Sequence, residues 1–243
     1  VALNGVLGAA TAGVRQAIKG RFDWNGILRG AGGGALMGVG KQVAGSGFDG
    51  SGLIARPVHA LGVSLVHSAD RDQPVYLLPI GPLTLELRPG TSEPVHTRLD
   101  VTDLVILATS ARDERTRIDW AATLSAGAPV LVRPIARMPG GYHAHGLAFV
   151  GTILLAEETA GSGRRRTLAH EQVHVLQWDA LRHLATHPAE RAVVRRIPLI
   201  GRASAYLDVG LLAPGGMYLI ASRFPYEQHP WEREAYLLAG HAY

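Results

Sequence analysis

Glycine and alanine recur at every fourth position in two runs near the start of the sequence. They occupy positions 5, 9, 13 and 17, and then positions 26, 30, 34 and 38. Residues four apart share one face of a helix, and a face without side chains lets two backbones approach closely. Since each glycine inside a helix costs roughly 1 kcal/mol relative to alanine, such helices need tight packing or lipid around them. The pattern predicts a helical hairpin, with helices over residues 3–19 and 25–44.

Three environments suit this hairpin. The first is close packing on the rest of the chain. The second is a membrane environment, in which the hairpin forms a re-entrant or interfacial element or docks on a membrane partner. The third is disorder of the glycine-rich sequence. The basic residues that flank the apolar runs suit anionic headgroups as well as solvent, and they are Arg15, Lys19, Arg21, Arg29 and Lys41. No run reaches the ~18–20 uncharged apolar residues of a simple transmembrane helix. A membrane surface or membrane-protein partner for residues 1–45 is therefore expected, and the compartment stays open with a lean toward the cell envelope, periplasmic or membrane-peripheral.

Composition excludes several classes of function. The 243 residues are 47% hydrophobic and 18% charged, as in a globular protein, and the formal net charge is +4. The basic residues are spread out, which is not the pattern of a nucleic-acid-binding protein. The one tight cluster, residues 164–166, is interpreted as a solvated loop or a phosphate or headgroup contact. The absence of cysteine excludes disulfides, thiolate zinc knuckles and cysteine nucleophiles.

The sequence after the hairpin divides into a strand-rich part and a helical part. Short aliphatic or β-branched runs between turn signals predict strands at residues 75–79, 83–88, 95–99, 104–109, 130–134 and 147–156. Residues 117–125 suit a helix or a strand equally. Helical spacing predicts a helix from about residue 167 to 185, a short one near residues 189–196 and a last one from Pro230 to Gly240.

The predicted fold class is α+β. A small, mostly antiparallel sheet packs on the helix of about residues 167–185 and on the last helix, and the glycine-rich hairpin precedes them. The chain then divides into a docking segment, residues 1–66, and a second domain, residues 67–243.

Residues 170–174 read H-E-Q-V-H. On a helix, His170 and His174 lie one turn apart on the same face, so both imidazoles can reach one tetrahedral ion. Glu171 is too close along the chain to bind the same ion, but it is well placed to touch a water bound to the metal and to accept its proton. A candidate third ligand follows in a later predicted helix, where residues 229–236 read H-P-W-E-R-E-A-Y.

The pattern H-E-x-x-H followed downstream by E-x-x-A resembles the gluzincin metallopeptidases, and the compact scale resembles their small, minimal members. The likeness covers residues 147–240. It implies a Zn²⁺ ion held by His170, His174 and Glu232, with Glu171 as general base. Glu232 is the match because it opens the E-x-x-A pattern.

The chain departs from the family pattern beside the third ligand. Glu234 is the alternative ligand. Many members of the family carry an acidic residue after the alanine, which braces a ligand histidine, and Tyr236 stands there in this sequence. Gln177 extends the motif to H-E-x-x-H-x-x-Q, which resembles several small bacterial gluzincin-like domains, and it is equally an ordinary polar helix residue. An oxyanion in amide hydrolysis also needs a donor, and the candidates are Tyr226, His229, Tyr236 and His241.

In this family, the strand before the H-E-x-x-H helix usually lies at the edge of the sheet and pairs with an extended peptide substrate. Residues 147–156 are the candidate. The other interpretation is an ordinary core strand, because ten residues without alternation favour burial on both faces.

Two functions of different classes follow. The first is a zinc metallopeptidase that hydrolyses a peptide or protein substrate. The second is a catalytically idle assembly subunit of the same fold, docked on a membrane or membrane complex through the glycine-rich segment. The second is favoured by Tyr236 in place of an acid, by the lack of an evident oxyanion donor and by a glycine-rich segment with no part in hydrolysis. A third possibility is that the motif is accidental and no metal binds.

Overall fold

The computed structural model describes residues 1–20, 22–69, 71, 74–134, 136–137, 143–159, 161–186, 189, 192–193, 196, 206–208 and 228–240. Its helices are α1 (Ala2–Ile18), α2 (Trp24–Gly45), α3 (Ser51–Ser68), α4 (Val101–Ala111), α5 (Trp120–Ala126), α6 (Gly161–Leu181) and α7 (Pro230–Leu238), with a π-helical turn at Arg182–Thr186. Its strands are β1 (Tyr76–Ile80), β2 (Leu83–Leu87), β3 (Val95–Asp100), β4 (Arg117–Ile118), β5 (Val130–Arg133), β6 (Ala136–Arg137), β7 (His143–Ala144), β8 (Gly146–Phe149), β9 (Thr152–Ala156) and β10 (Leu207–Asp208).

The strands form two small mixed sheets and a two-stranded ribbon, β6–β7, within the described residues. The first sheet has the order β1-β2-β3-β10, and its last pair is parallel. The second has the order β4-β5-β9-β8, with β5 and β9 parallel. The α+β class is confirmed. The prediction of a single sheet is wrong, because the strands divide between two sheets. Each of them is mostly antiparallel, with two antiparallel pairs and one parallel pair.

The predicted hairpin is present as α1 and α2. Asp23 caps α2, since its carboxylate accepts hydrogen bonds from the backbone N–H groups of Asn25 at 3.0 Å and Gly26 at 2.9 Å. The predicted stripe on α2, positions 26, 30, 34 and 38, is buried. The stripe on α1 is wrong by one register, because the buried positions are 8, 12 and 16.

A third helix, α3, was not predicted. It packs against the opposite side of α2, and a Cβ placed on Gly33 would lie 2.6 Å from the carbonyl oxygen of Gly62. Small residues on two faces of α2 therefore let it pass between α1 and α3. The glycine-rich segment is a three-helix layer rather than a hairpin.

Two of the predicted strands are wrong. Residues 104–109 belong to helix α4, which Asp100 caps by accepting a hydrogen bond from the Asp103 N–H at 2.8 Å. Residues 147–156 form two strands because the chain reverses at Val150, which has a φ of 53°, and at Gly151. The Gly151 N–H donates to Asp103 Oδ1 at 2.9 Å, which fixes the turn on α4.

Other stretches are settled by helix caps. Residues 117–125 contain both structures: β4 is followed by α5, whose first turn is capped by Asp119. Helix α6 begins at Gly161, so residues 164–166 lie in its first turns and not in a loop, and Arg164 pairs with Asp119. The predicted helix near residues 189–196 lies mostly outside the described residues.

Helix α6 is held between the second sheet and the glycine-rich layer. Val175 packs into a cluster with the buried strands β5 and β9. On the other side of the helix, Val173 and Leu176 pack with small residues of α2, α3 and α7, namely Ala44, Ala55 and Ala235. This double burial fixes the rotation of α6 and therefore the direction of its remaining polar face.

Candidate metal centre

The structure brings the two histidines and the third predicted ligand together. His170 Nε2 and His174 Nε2, one turn apart on α6, lie 3.0 Å from each other. Glu232 Oε2, in the first turn of α7, lies 3.2 Å from His170 Nε2 and 3.3 Å from His174 Nε2. All three side chains are largely buried. This His-His-Glu group could hold a metal ion.

The negative charge of Glu232 and the positive charge of His174 stabilise each other in this group. Burial alone lowers the pKa of His174, but the hydrogen bond and negative charge of Glu232 outweigh it and raise that pKa to about 9. Burial raises the pKa of Glu232, and its hydrogen bonds to the two histidines more than reverse this, so the pKa lies well below its usual range. A metal ion bound here would take the place of the proton shared by these groups, so its binding would strengthen as the pH rises.

Glu171 lies beside the ligands and against the edge of the second sheet. Burial, followed by the charge of Glu232, raises its pKa to about 7 although the Ala148 N–H donates a hydrogen bond to it. The adjacent Gly146 leaves room for this carboxylate, because a Cβ there would lie 2.8 Å from Glu171 Oε1 and 2.5 Å from Thr167 Cγ2. A carboxyl with a pKa near neutrality is suited to act as a general base.

A chain of polar contacts runs outward from His174. Its Nδ1 lies 2.7 Å from Gln177 Oε1, and Gln177 Nε2 donates to Glu234 Oε2 at 2.8 Å. Lys41 Nζ, buried in α2, donates to the same oxygen at 2.8 Å and to Asn4 Oδ1 at 3.1 Å. Burial raises the pKa of Glu234, and the charge of Lys41 outweighs this and lowers it. Glu234 therefore lies one layer outside the ligands and braces Gln177.

The remaining candidates flank the ligands. The ring of Tyr236 packs on His170 with centroids 4.5 Å apart, so an aromatic contact stands where the family pattern has an acid. His229 caps α7, and its Nδ1 accepts a hydrogen bond from the Trp231 N–H at 3.3 Å. Burial lowers the pKa of His229. Tyr226 and His241 lie outside the described residues.

Sequence reasoning missed three residues near the site: Lys41, Asn4 and Gly146. Lys41 was grouped with residues that suit lipid headgroups, and this is wrong because its side chain is 8% exposed and paired with Glu234. The available signal was a lone lysine in the interior of a glycine-rich helix, where a charge needs a buried partner. Neither Asn4 nor Gly146 carries a local pattern that predicts its role.

No protein-family model, curated protein or solved structure matches this chain. The resemblance to gluzincins therefore rests on the motif residues.

Replacing Gln177 with leucine should raise the zinc dissociation constant about 10–100-fold, because outer partners orient the imidazole ligand. Isothermal titration with zinc measures this. Gln172→Leu is the matched control, since Gln172 lies on the same helix with 4% exposure, against 3% for Gln177, but accepts a hydrogen bond from Ser51 rather than orienting a ligand. Equal zinc affinities of the two variants would contradict a positioning role for Gln177.

Proposed function

We propose that this chain is a zinc-dependent metallopeptidase of the gluzincin type. His170, His174 and Glu232 hold the ion and Glu171 is the general base. The observation that carries the proposal is the spacing of the three donor atoms, 3.0, 3.2 and 3.3 Å. Tetrahedral zinc with ligands at 2.0–2.1 Å requires donors about 3.3 Å apart.

The donor set favours a catalytic zinc site over a structural one. Structural sites use four protein ligands, whereas catalytic sites use three, such as His₂Glu, and keep one position for water or substrate. Among the described residues the group consists of two imidazoles and one carboxylate. Imidazole nitrogens also favour zinc over magnesium or calcium, which prefer oxygen ligands.

The residues around the ligands supply proton transfer and charge stabilisation. When bound, zinc acts as a Lewis acid that acidifies water toward neutrality. Glu171 accepts the proton of the attacking water and returns it to the leaving amine, for which a pKa near 7 is suitable. His229 carries its neutral-ring proton on Nε2 because its Nδ1 is an acceptor, and it is the candidate donor to the developing oxyanion.

The edge of the second sheet supports an extended peptide as substrate. Strand β8 is the last strand on its side of that sheet in the part of the chain described. The Ala156 N–H donates to the His145 carbonyl, so these two residues form a hydrogen-bonded pair. In an antiparallel pair of strands, hydrogen-bonded and non-hydrogen-bonded residue pairs alternate. The backbone groups of Gly146 and Ala148 therefore point away from β9. Ala148 already contacts Glu171. A peptide that adds to this edge lies next to the general base.

The decisive experiment joins metal content to cleavage. The purified chain should bind one zinc ion and cleave members of a quenched-fluorescence peptide library, and chelation should abolish cleavage until zinc is restored. His174→Ala should bind zinc far more weakly and cleave nothing. Stoichiometric zinc without cleavage of any peptide would favour the assembly-subunit alternative. The absence of zinc binding would remove the metal from both.

A further inference from the structure

The outward face of α1 consists entirely of apolar residues. The exposed positions of this helix are Ala2, Leu3, Val6, Leu7, Ala10, Val14, Ala17 and Ile18. A helix on the surface of a protein in water normally turns charged or polar residues outward. The five large side chains lie within about one third of the helix circumference, at 100° per residue. They form one continuous apolar stripe.

The buried face of α1 is formed by small residues and one glutamine, and its exposed face by large apolar side chains. Its buried positions are Gly8, Ala12 and Gln16, which meet the glycines of α2. Packing inside the protein therefore uses none of the large aliphatic residues. Leu3 is 70% exposed and Ile18 is 80% exposed, so most of the apolar area of these side chains faces solvent.

The turn after α1 also exposes two aromatic residues. Phe22 and Trp24 are 65% and 68% exposed, and their rings meet edge to face with centroids 5.1 Å apart. Leu28, one turn into α2, is also exposed. Exposed aromatic residues beside an aliphatic helix face are typical of proteins that sit at a membrane–water interface.

Most of the net charge of the chain lies in the same segment. Residues 1–40 contain four basic residues, Arg15, Lys19, Arg21 and Arg29, and one acidic residue, Asp23, which gives +3. The other 203 residues contain 20 basic and 19 acidic residues, which gives +1. Lys41 is counted with the other 203 residues, where Glu234 is its partner. An apolar stripe in a segment of net positive charge is complementary to an anionic lipid surface.

We propose that the outward face of α1, with Phe22 and Trp24, docks on the surface of a bilayer that contains anionic lipids. None of the described helices has the length and apolar character needed to cross a bilayer, so α1 lies in the plane of the interface. A second copy of the chain is a poorer occupant, because a self-paired face would bring two +3 segments together.

Vesicle flotation of the full chain tests the proposal. Vesicles of 30% phosphatidylserine in phosphatidylcholine should bind the chain, and binding should fall in 0.5 M salt and in pure phosphatidylcholine. The triple variant Leu3→Gln, Leu7→Gln, Val14→Gln should bind at least about 30-fold more weakly, because each glutamine loses an apolar side chain from the interface. The matched control changes three similarly exposed aliphatic residues on other helices, Leu53→Gln, Val105→Gln and Leu124→Gln, and should bind like the unchanged chain.

The basic residues and the aromatic turn after α1 are tested by separate measurements. Arg29→Gln should weaken binding to the anionic vesicles by about fivefold, whereas Arg112→Gln should not. Vesicles should shift the fluorescence of the chain to the blue, and Trp24→Phe should remove that shift. Circular dichroism shows whether each variant is folded.

Three outcomes would overturn the proposal. The first is equal binding by the α1 triple variant and its control. The second is binding that ignores vesicle charge and salt. The third is a dimer in solution that the α1 triple variant dissociates, which would assign the face to a second copy of the chain.

Discussion

Glu171→Gln should lower kcat/KM for peptide cleavage about 10³-fold and leave one zinc ion bound per chain. Glutamine keeps the size of the side chain and its contact with the Ala148 N–H, but it cannot accept a proton from water. General bases typically contribute 10²–10⁴-fold, and the expected loss is the middle of that range for a buried carboxyl with a pKa of about 7. The ligands His170, His174 and Glu232 are unchanged, so zinc affinity should change little.

The measurement is kcat/KM on the best peptide from the library, together with zinc content by atomic absorption. Glu158→Gln is the control, because this exposed carboxylate lies before α6 and away from the ligands. Cleavage that persists in Glu171→Gln would remove this residue from the mechanism. Zinc loss in the same variant would assign Glu171 to metal retention instead.

Gly34→Ala should lower the free energy of unfolding by about 2 kcal/mol or more. A Cβ at position 34 would lie 2.0 Å from the backbone oxygen of Asn4 and 2.7 Å from its carbonyl carbon. These are backbone atoms of α1 and cannot swing aside, so α1 must move away from α2. Overpacking of this kind costs about 3 kcal/mol at the upper end of the usual range. The better helix propensity of alanine returns only about 1 kcal/mol.

Gly32→Ala is the matched control and should have the opposite sign. Gly32 lies in the same helix, is exposed, and has no heavy atom within 4 Å of an added Cβ. Alanine there should stabilise the protein by about 1 kcal/mol. Thermal unfolding distinguishes the pair, since 1 kcal/mol shifts Tm by roughly 2–4 °C at this chain length. Equal shifts would show that the glycines of α2 serve flexibility rather than close helix packing.

The candidate ligand group could be predicted because its motifs are local. Two histidines four apart share a helix face whatever surrounds them, and Glu232 stands out at the start of E-x-x-A. The register of α1 could not be predicted, because spacings of three and four both suit a helical stripe. Only contact with α2 selects positions 8, 12 and 16 over 9, 13 and 17.

The errors in the predicted secondary structure also have specific causes. Residues 104–109 are aliphatic enough for a strand, and the deciding feature is the Asp100 cap that starts α4. Residues 147–156 show no strong break in sequence, and the reversal at Val150 depends on a hydrogen bond from Gly151 to distant Asp103. The contact between Lys41 and Glu234 joins residues 193 positions apart. A single sequence contains no periodic signal for such a pair.

The contact between Lys41 and Glu234 affects when the candidate metal site is complete during synthesis. Asn4 and Lys41 leave the ribosome long before Glu232 and Glu234, and at 5–20 residues per second the interval over 193 residues is about 10–40 s. During synthesis the H-E-x-x-H helix exists without its third ligand and without the carboxylate that braces Gln177. A newly made chain of the proposed metallopeptidase would therefore complete its metal site only after α7 emerges, so it would be inactive toward neighbouring proteins during most of its synthesis.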